Sequence, residues 1–288
     1  MIAPVASPNS TGSGTAKSSE LRSRVFSAIA LALLALGSAW YGGTIFSIVW
    51  GIAAIAVLSE WQAVIGFSGR KLWVSVAIGA VGLVSAIGLL LWKSVPPFVG
   101  FLPVLLAGFI NVLAFRRPSL ASTWLFLGPL YAASVVIGPM IMRERQPEGL
   151  IIIVWLFLVV WISDIGAFFV GRRVGGPKLW PSVSPKKTWS GFIGGLFSGT
   201  LVPISAVYAA KLWLSIEWLD GWPLVLLTLT TALVSECGDL FESAMKRRFG
   251  VKDSGNLIPG HGGIMDRLDS YTAAAFYLLL VAQIFAVC

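Results

Sequence analysis

Charge is what this chain has least of. Asp, Glu, Lys and Arg make up 12% of its 288 residues, about half of the roughly 25% usual in a soluble domain. So few charged groups cannot cover a water-facing surface, which argues against a soluble globular enzyme. Cysteine is nearly absent. Cys237 and Cys288 stand alone, so there is no CxxC pair and no disulfide framework. A single histidine, His261, excludes a histidine metal set. Neither a GxSxG nucleophile elbow nor a Walker A loop occurs, which removes the serine-hydrolase and P-loop routes. No internal repeat supports a transporter built from inverted halves.

What fills the chain instead is apolar: 57% of its residues are hydrophobic and its mean hydropathy is +0.85. Apolar stretches centre on residues 25–40, 44–65, 72–92, 98–115, 120–141, 149–170, 192–212, 222–244 and 271–287. Each is near the ~20 residues that cross a bilayer as a helix. The expected fold is an all-α, polytopic transmembrane helical bundle of about nine spans. Residues 1–20, rich in Ser, Thr, Gly, Ala and Pro, read as a disordered cytoplasmic tail. Residues 21–145 read as the N-terminal transmembrane helices. Residues 146–288 read as a catalytic transmembrane domain with cytoplasmic loops at 171–191 and 245–270. The weakest span boundaries fall around Pro96, Pro97 and Pro103 and at the Gly/Pro breaks of the fifth span.

Lysine and arginine set the orientation. With the N-terminus in the cytoplasm, the inside segments hold Lys17, Arg22 and Arg24, then Arg70 and Lys71, then Arg116 and Arg117. They also hold Arg172, Arg173, Lys178, Lys186 and Lys187, and finally Lys246, Arg247, Arg248, Lys252 and Arg267. Only Lys93, Arg143, Arg145 and Lys211 fall outside. The positive-inside pattern accounts for the net charge of +8 without any nucleic-acid partner. Tryptophans near span ends (Trp40, Trp61, Trp73, Trp92, Trp124, Trp213, Trp218, Trp222) read as an interfacial belt.

The scarce polar residues are concentrated. Residues 243–270 hold five basic residues, three aspartates, five glycines and the one histidine. In the span ahead of them, Asp239, Ser243 and Lys246 are spaced to share one helix face, with Glu236 close by. Glu242 can pair with Lys246 one turn on. Acids within a span are costly and mark a polar cavity or a partner, and Asp164 belongs to the same class. Asp266 and Asp269, one turn apart at the start of the last helix, can join Asp239 in an oxygen cage for a hard divalent cation such as Mg²⁺. The alternatives are a salt-bridged helix end and simple capping of the helix dipole. Lys186, Lys187, Thr188 and Ser190 precede a glycine-rich helix entry, which suits a phosphate, or else serve only as a positive-inside loop. Carboxylates beside cations are what a metal–phosphate site requires. An attacking phosphate is already ionised, so such a site needs alignment and charge neutralisation more than a strong base. His261, set among glycines, is accordingly read as a hydrogen-bond donor to phosphate or loop backbone, the alternatives being acid–base work and a purely structural role.

The segment from Ser243 to Asp269 resembles the signature of the phosphatidate cytidylyltransferases. That pattern is S-x-apolar-K-R, four residues, K-D, then P-x-H-G-G-x-x-D-R-x-D, and every fixed position fits. The upstream Ser-Pro-Lys-Lys-Thr run ending at Thr188, with Gly191 and Asp164, extends the resemblance over roughly residues 160–288. It implies a bacterial inner-membrane enzyme that makes CDP-diacylglycerol and pyrophosphate from CTP and phosphatidate in phospholipid biosynthesis. It also implies Mg²⁺ assistance, with a second cation left open, and a homodimer among membrane lipids. The catalytic set it points to is Asp239, Lys246, Asp266 and Asp269. Metal ligation is carried to Asp239 and Asp266 and extended to Asp269. Ser243, Lys246 and Arg247 match phosphate-contacting positions. Lys252, His261, Arg267, Lys186, Lys187, Thr188 and Asp164 complete the expected substrate-binding set, and Ser190 receives no role. Nearby alternatives are a CTP-dependent lipid kinase and a CDP-lipid synthase for another lipid phosphate. The alternative from a different class is a transporter of a phosphorylated metabolite.

Overall fold

The computed structural model describes residues 13–92, 96–115, 119–215, 218–258 and 262–285. His261, Lys93, Arg116, Arg117 and the first twelve residues of the expected tail therefore lie outside the described residues. Among the described residues there are nine α-helices and one small hairpin. The helices are α1 (Ser13–Tyr41), α2 (Gly43–Val64), α3 (Gly69–Leu91), α4 (Phe101–Phe115), α5 (Ser119–Arg143), α6 (Gly149–Val174), α7 (Trp189–Leu214), α8 (Gly221–Arg248) and α9 (Met265–Phe285). A 3-10 turn, Pro97–Gly100, leads into α4. Strands β1 (Lys178–Trp180) and β2 (Ser184–Thr188) pair antiparallel between α6 and α7, with Lys178 opposite Thr188 and Trp180 opposite Ser184.

Six helices, α2, α3, α5, α6, α7 and α8, are long and apolar enough to cross a membrane, and the apolar part of α1 and all of α4 are shorter. The outer surface agrees with a lipid solvent: Phe26, Ile52, Val81, Phe197 and Leu212 are all exposed. Ala54, Leu58, Leu83, Leu125, Ile137 and Leu156 are fully buried between helices. This is an integral membrane protein. Helix α5 stays one helix through Pro129 and Pro139, despite the breaks expected there, because packed neighbours and side chains can re-satisfy a proline-disturbed backbone in a membrane bundle.

Several boundaries differ from the sequence reading. Helix α1 runs back to Ser13, into the stretch expected to be tail. Ala16, Lys17, Leu21 and Arg22 are good helix formers, and extending an existing helix avoids the cost of nucleation. The two polar loops are also shorter than expected. Arg172 and Arg173 form the last turn of α6, and Lys246, Arg247 and Arg248 the last turn of α8, where basic groups complement the helix dipole. The connectors shrink to 175–188 and 249–264. The first is partly strand, which its Gly and Pro content had concealed.

The tryptophans divide into two groups. Trp40, Trp73, Trp92, Trp213 and Trp222 are exposed, as an interfacial belt requires. Trp61 is instead buried: its indole donates to the Trp124 carbonyl at 2.9 Å and its ring lies 4.8 Å from that of Tyr131. Trp50 packs in the same way on Phe157 and Tyr271, at 5.6 and 4.6 Å. Aromatic pairs of this kind tie α2 to α5, α6 and α9.

Helix α6 packs most extensively on α7. The contact is lined by small residues: a Cβ at Gly166 would collide with Ser198, and one at Gly199 with Ser163. Lipid tails are as apolar as leucine, so close backbone approach, rather than a hydrophobic drive, holds such pairs together. A buried polar bridge serves α3 and α4, where the Ser75 hydroxyl donates to Asn111 Oδ1 at 2.6 Å.

Candidate active site

A cleft of about 730 Å³ lies where α6, α7, α8 and α9 meet the hairpin. Of the residues expected from sequence, it is lined by Asp164, Lys186, Lys187, Thr188, Asp239, Asp266, Arg267 and Asp269. Residues from far apart in the chain thus converge on one polar wall.

Two lysines organise it. Lys187, on β2, places Nζ 2.8 Å from Asp239 Oδ2 and 3.3 Å from Glu236 Oε2 on α8. Burial works to lower the Lys187 pKa, but the Asp239 and Glu236 carboxylates outweigh it and hold the ammonium above its ordinary value. Lys246 sits 2.6 Å from both Glu242 Oε2 and Asp266 Oδ1. Asp239 and Ser243 meet across one turn as the helical spacing requires, with Ser243 Oγ donating at 3.3 Å.

Asp266 is in the first turn of α9, ahead of that helix's apolar run. Besides Lys246, its carboxylate accepts from the Gly263 amide at 2.9 Å and the Ser254 amide at 3.0 Å. Burial alone would raise its pKa. Lys246 and the two amides prevail and hold the carboxyl below its ordinary range.

The hydroxyls expected to cradle phosphate are partly engaged already. Thr188 caps α7, accepting from the Gly191 amide at 3.1 Å, and Ser190 donates to the Gly175 carbonyl. Gly175 and Gly176, with φ of 66° and 102°, turn the chain out of α6 in a conformation that favours glycine. Arg247 donates to the carbonyls of Val183 and Val251, both at 3.4 Å, and so ties the hairpin to the end of α8. Neither Arg247 nor Ser243, Lys246 or Lys252 lines the cleft itself, and Lys252 is exposed on the 249–264 connector.

Asp239, Asp266 and Asp269 were expected as an oxygen cage. Among the described residues, no three Asp, Glu, His or Cys side chains are gathered closely enough to hold an ion. Asp239 and Asp266 instead each pair with a different lysine, which neutralises them. The donor chemistry, carboxylate oxygens alone, suits a hard divalent cation, although the spacing among the described residues does not gather three of them. Glu236 Oε1 is moreover buried with no hydrogen-bond partner, an acceptor with spare capacity.

Sequence reasoning left out three residues. Arg172 and Lys178 line the cleft and were counted only as loop charges. Glu60, on α2, is buried, and its carboxylate accepts from Ser254 Oγ at 3.0 Å and from the Ile264 and Met265 amides at 3.0 and 2.7 Å. The signal was present: an acid within an apolar run, as at Asp164.

The chain is similar to known proteins over almost its whole length. The sequence pattern of the Cytidylyltransferase family matches residues 22–285. A phosphatidate cytidylyltransferase of Brucella suis biovar 1 (strain 1330) is 40% identical over 276 residues, covering 93% of this chain and 95% of the relative. One from Staphylococcus aureus (strain COL) is 37% identical over 260 residues, covering 87% and 95%. With Asp266, Arg267 and Asp269 of the signature lining one cleft and similarity running almost end to end, the chain belongs to the cytidylyltransferase family.

Proposed function

We propose that this protein is a phosphatidate cytidylyltransferase, transferring CMP from CTP to phosphatidate to give CDP-diacylglycerol and pyrophosphate. The observation that carries the reading is the convergence of Lys186, Lys187, Asp239, Asp266 and Arg267 on one cleft in a chain so similar to enzymes of that name. An oxygen of the lipid phosphate attacks the α-phosphorus of CTP. A P–O bond forms there as the bond to the α,β-bridging oxygen breaks, and pyrophosphate leaves with the electron pair. No strong base is required, because the attacking phosphate is ionised near neutral pH.

The residues divide the work by charge. Lys186, Arg172, Lys178 and Arg267 present cations to the nucleotide and lipid phosphates, and Lys187 is held charged by its two carboxylates. Asp239 and Asp266, with Asp269 and Glu236 close at hand, would hold Mg²⁺, which when bound neutralises phosphate charge and orients the leaving group. Lys246 keeps Asp266 ionised and in place until then. The lysine and arginine distribution supports placing the N-terminus and the cleft on the cytoplasmic side, where CTP is available. The family resemblance supports a bacterial inner-membrane homodimer.

Labelled CTP supplied to the detergent-solubilised protein with a panel of lipid acceptors tests the reading. CDP-lipid plus pyrophosphate, with phosphatidate as acceptor, is the expected product pair. Formation of a phosphorylated lipid and CDP would overturn it in favour of a lipid kinase.

A further inference from the structure

The geometry points to Glu60, in the N-terminal half of the chain, as a positioning residue for the start of α9 and for Asp266. This inference rests on the proposed cytidylyl transfer for its activity arm and on geometry alone for the rest.

Glu60 lies on α2 and is 4% exposed. Both of its oxygens are used. Oε1 accepts from the Ile264 amide at 3.0 Å, and Oε2 from the Met265 amide at 2.7 Å and Ser254 Oγ at 3.0 Å. The first N–H groups of a helix have no partner within it. Here a carboxylate from a helix about two hundred residues away in sequence supplies one for the start of α9. A negative group at a helix N-terminus also meets the positive end of the dipole. Gly263 and Gly255 close the fit: a Cβ on either would come within 2.5 or 2.6 Å of a Glu60 oxygen.

The same short segments are held a second time by Asp266. Its carboxylate accepts from the Ser254 and Gly263 amides, while Glu60 takes the Ser254 hydroxyl and the two amides after Gly263. Ser254, Gly263 and the first turn of α9 are thus held between two carboxylates, one buried in the bundle and one at the cleft. Glu60 does not line the cleft. It acts through Asp266: loosen the lower clamp and the angle at which Asp266 meets Lys246 and an incoming cation is no longer fixed. Partners of this kind, one step removed from a metal ligand, typically change metal affinity or activity about 10–100-fold when lost.

Glu60→Gln keeps the shape but turns an amide NH₂ toward donors. Ser254→Ala removes a single bond and leaves the Ser254 amide to Asp266. Two readouts are taken on detergent-purified protein: hydrogen exchange of the backbone at 262–265 without substrate or metal, and the Mg²⁺ concentration for half-maximal activity. In Glu60→Gln, exchange at Ile264 and Met265 should speed up while that of α5 and α6 stays as in the wild type. The Mg²⁺ requirement should rise about 10-fold or more, with kcat down about 10–100-fold. Ser254→Ala should move both readouts in the same direction by less, and decides the matter if Glu60→Gln does not fold. Wild-type exchange and wild-type Mg²⁺ requirement in either folded variant would overturn the proposal, as would exchange raised uniformly through the bundle with no change in Mg²⁺ requirement. Failure of the wild type to form CDP-lipid would refute the proposed function but leave the exchange arm intact.

Discussion

Replacing Lys187 with methionine should tighten divalent-cation binding while it weakens nucleotide binding. The side chain keeps its length and loses its charge, leaving Asp239 and Glu236 without the ammonium now 2.8 and 3.3 Å away. Two unit charges 4 Å apart interact by about 4 kcal/mol at an effective dielectric of about 20. Lys187 and Asp239 retain 22% and 28% side-chain exposure, so water screens part of this. A net effect of about 1–2 kcal/mol, or about 5–30-fold, is reasonable. Its sign is opposite for the two ligands: a divalent cation no longer competes with the ammonium, whereas a triphosphate loses a cationic partner. The assay is direct binding to the detergent-purified protein, with Mn²⁺ counted by paramagnetic resonance without nucleotide and CTP titrated separately. General damage would weaken both ligands, so the crossed result is diagnostic. A folded Lys187→Met protein whose Mn²⁺ affinity is unchanged or lower would refute the placement of the cation at Asp239.

Other outcomes follow from the same geometry. Asp239→Asn and Asp266→Asn should each reduce kcat about 10²–10³-fold in folded protein, the scale of one lost transition-state partner; near wild-type turnover at saturating Mg²⁺ would remove that residue from the ligand set. Single cysteines at Lys178 and Lys252, in a background lacking Cys237 and Cys288, should resist an impermeant thiol reagent on intact cells, and ready labelling would reverse the topology. Because the Lys187 pKa is raised in the folded protein, the stability it contributes is fully present below its unfolded value of about 10.4 and is lost as pH rises through the folded value. The Tm difference between wild type and Lys187→Met should therefore hold steady across neutral pH and shrink only above about pH 10.4; a difference that fades below that point would contradict the ion pairs.

The sequence reading reached the helices and most of the cleft for the same reason. Apolar runs of membrane length have few ways to fold, and ionisable residues within or beside them are too costly to be incidental. Asp164, Asp239 and Asp266 were legible on those grounds. What escaped depends on contacts between distant segments. Nothing near Glu60 in the chain says that it will receive amides from residues 264 and 265. Nothing near Trp61 distinguishes a buried indole from one at the interface. The three-aspartate cage was read from helical spacing and from the family resemblance, neither of which carries information about the lysines paired with Asp239 and Asp266. The hairpin was hidden because strands this short, flanked by Gly and Pro, have no periodicity to detect.

The cleft's position has a kinetic consequence. Phe168 on its wall and Phe197 further along α7 are exposed on the outer, apolar face of the bundle. A double-chained phosphate can therefore keep its tails among neighbouring lipids while its head enters the polar wall. Such a substrate is encountered in two dimensions, and its effective concentration is a mole fraction of the surface rather than an amount per volume. Diluting it with inert lipid at constant total amount should slow turnover, whereas adding more vesicles of the same composition should not speed it once every protein is embedded. Half-saturation for this partner belongs in mole per cent; for the nucleotide, which arrives from water, it remains a molarity.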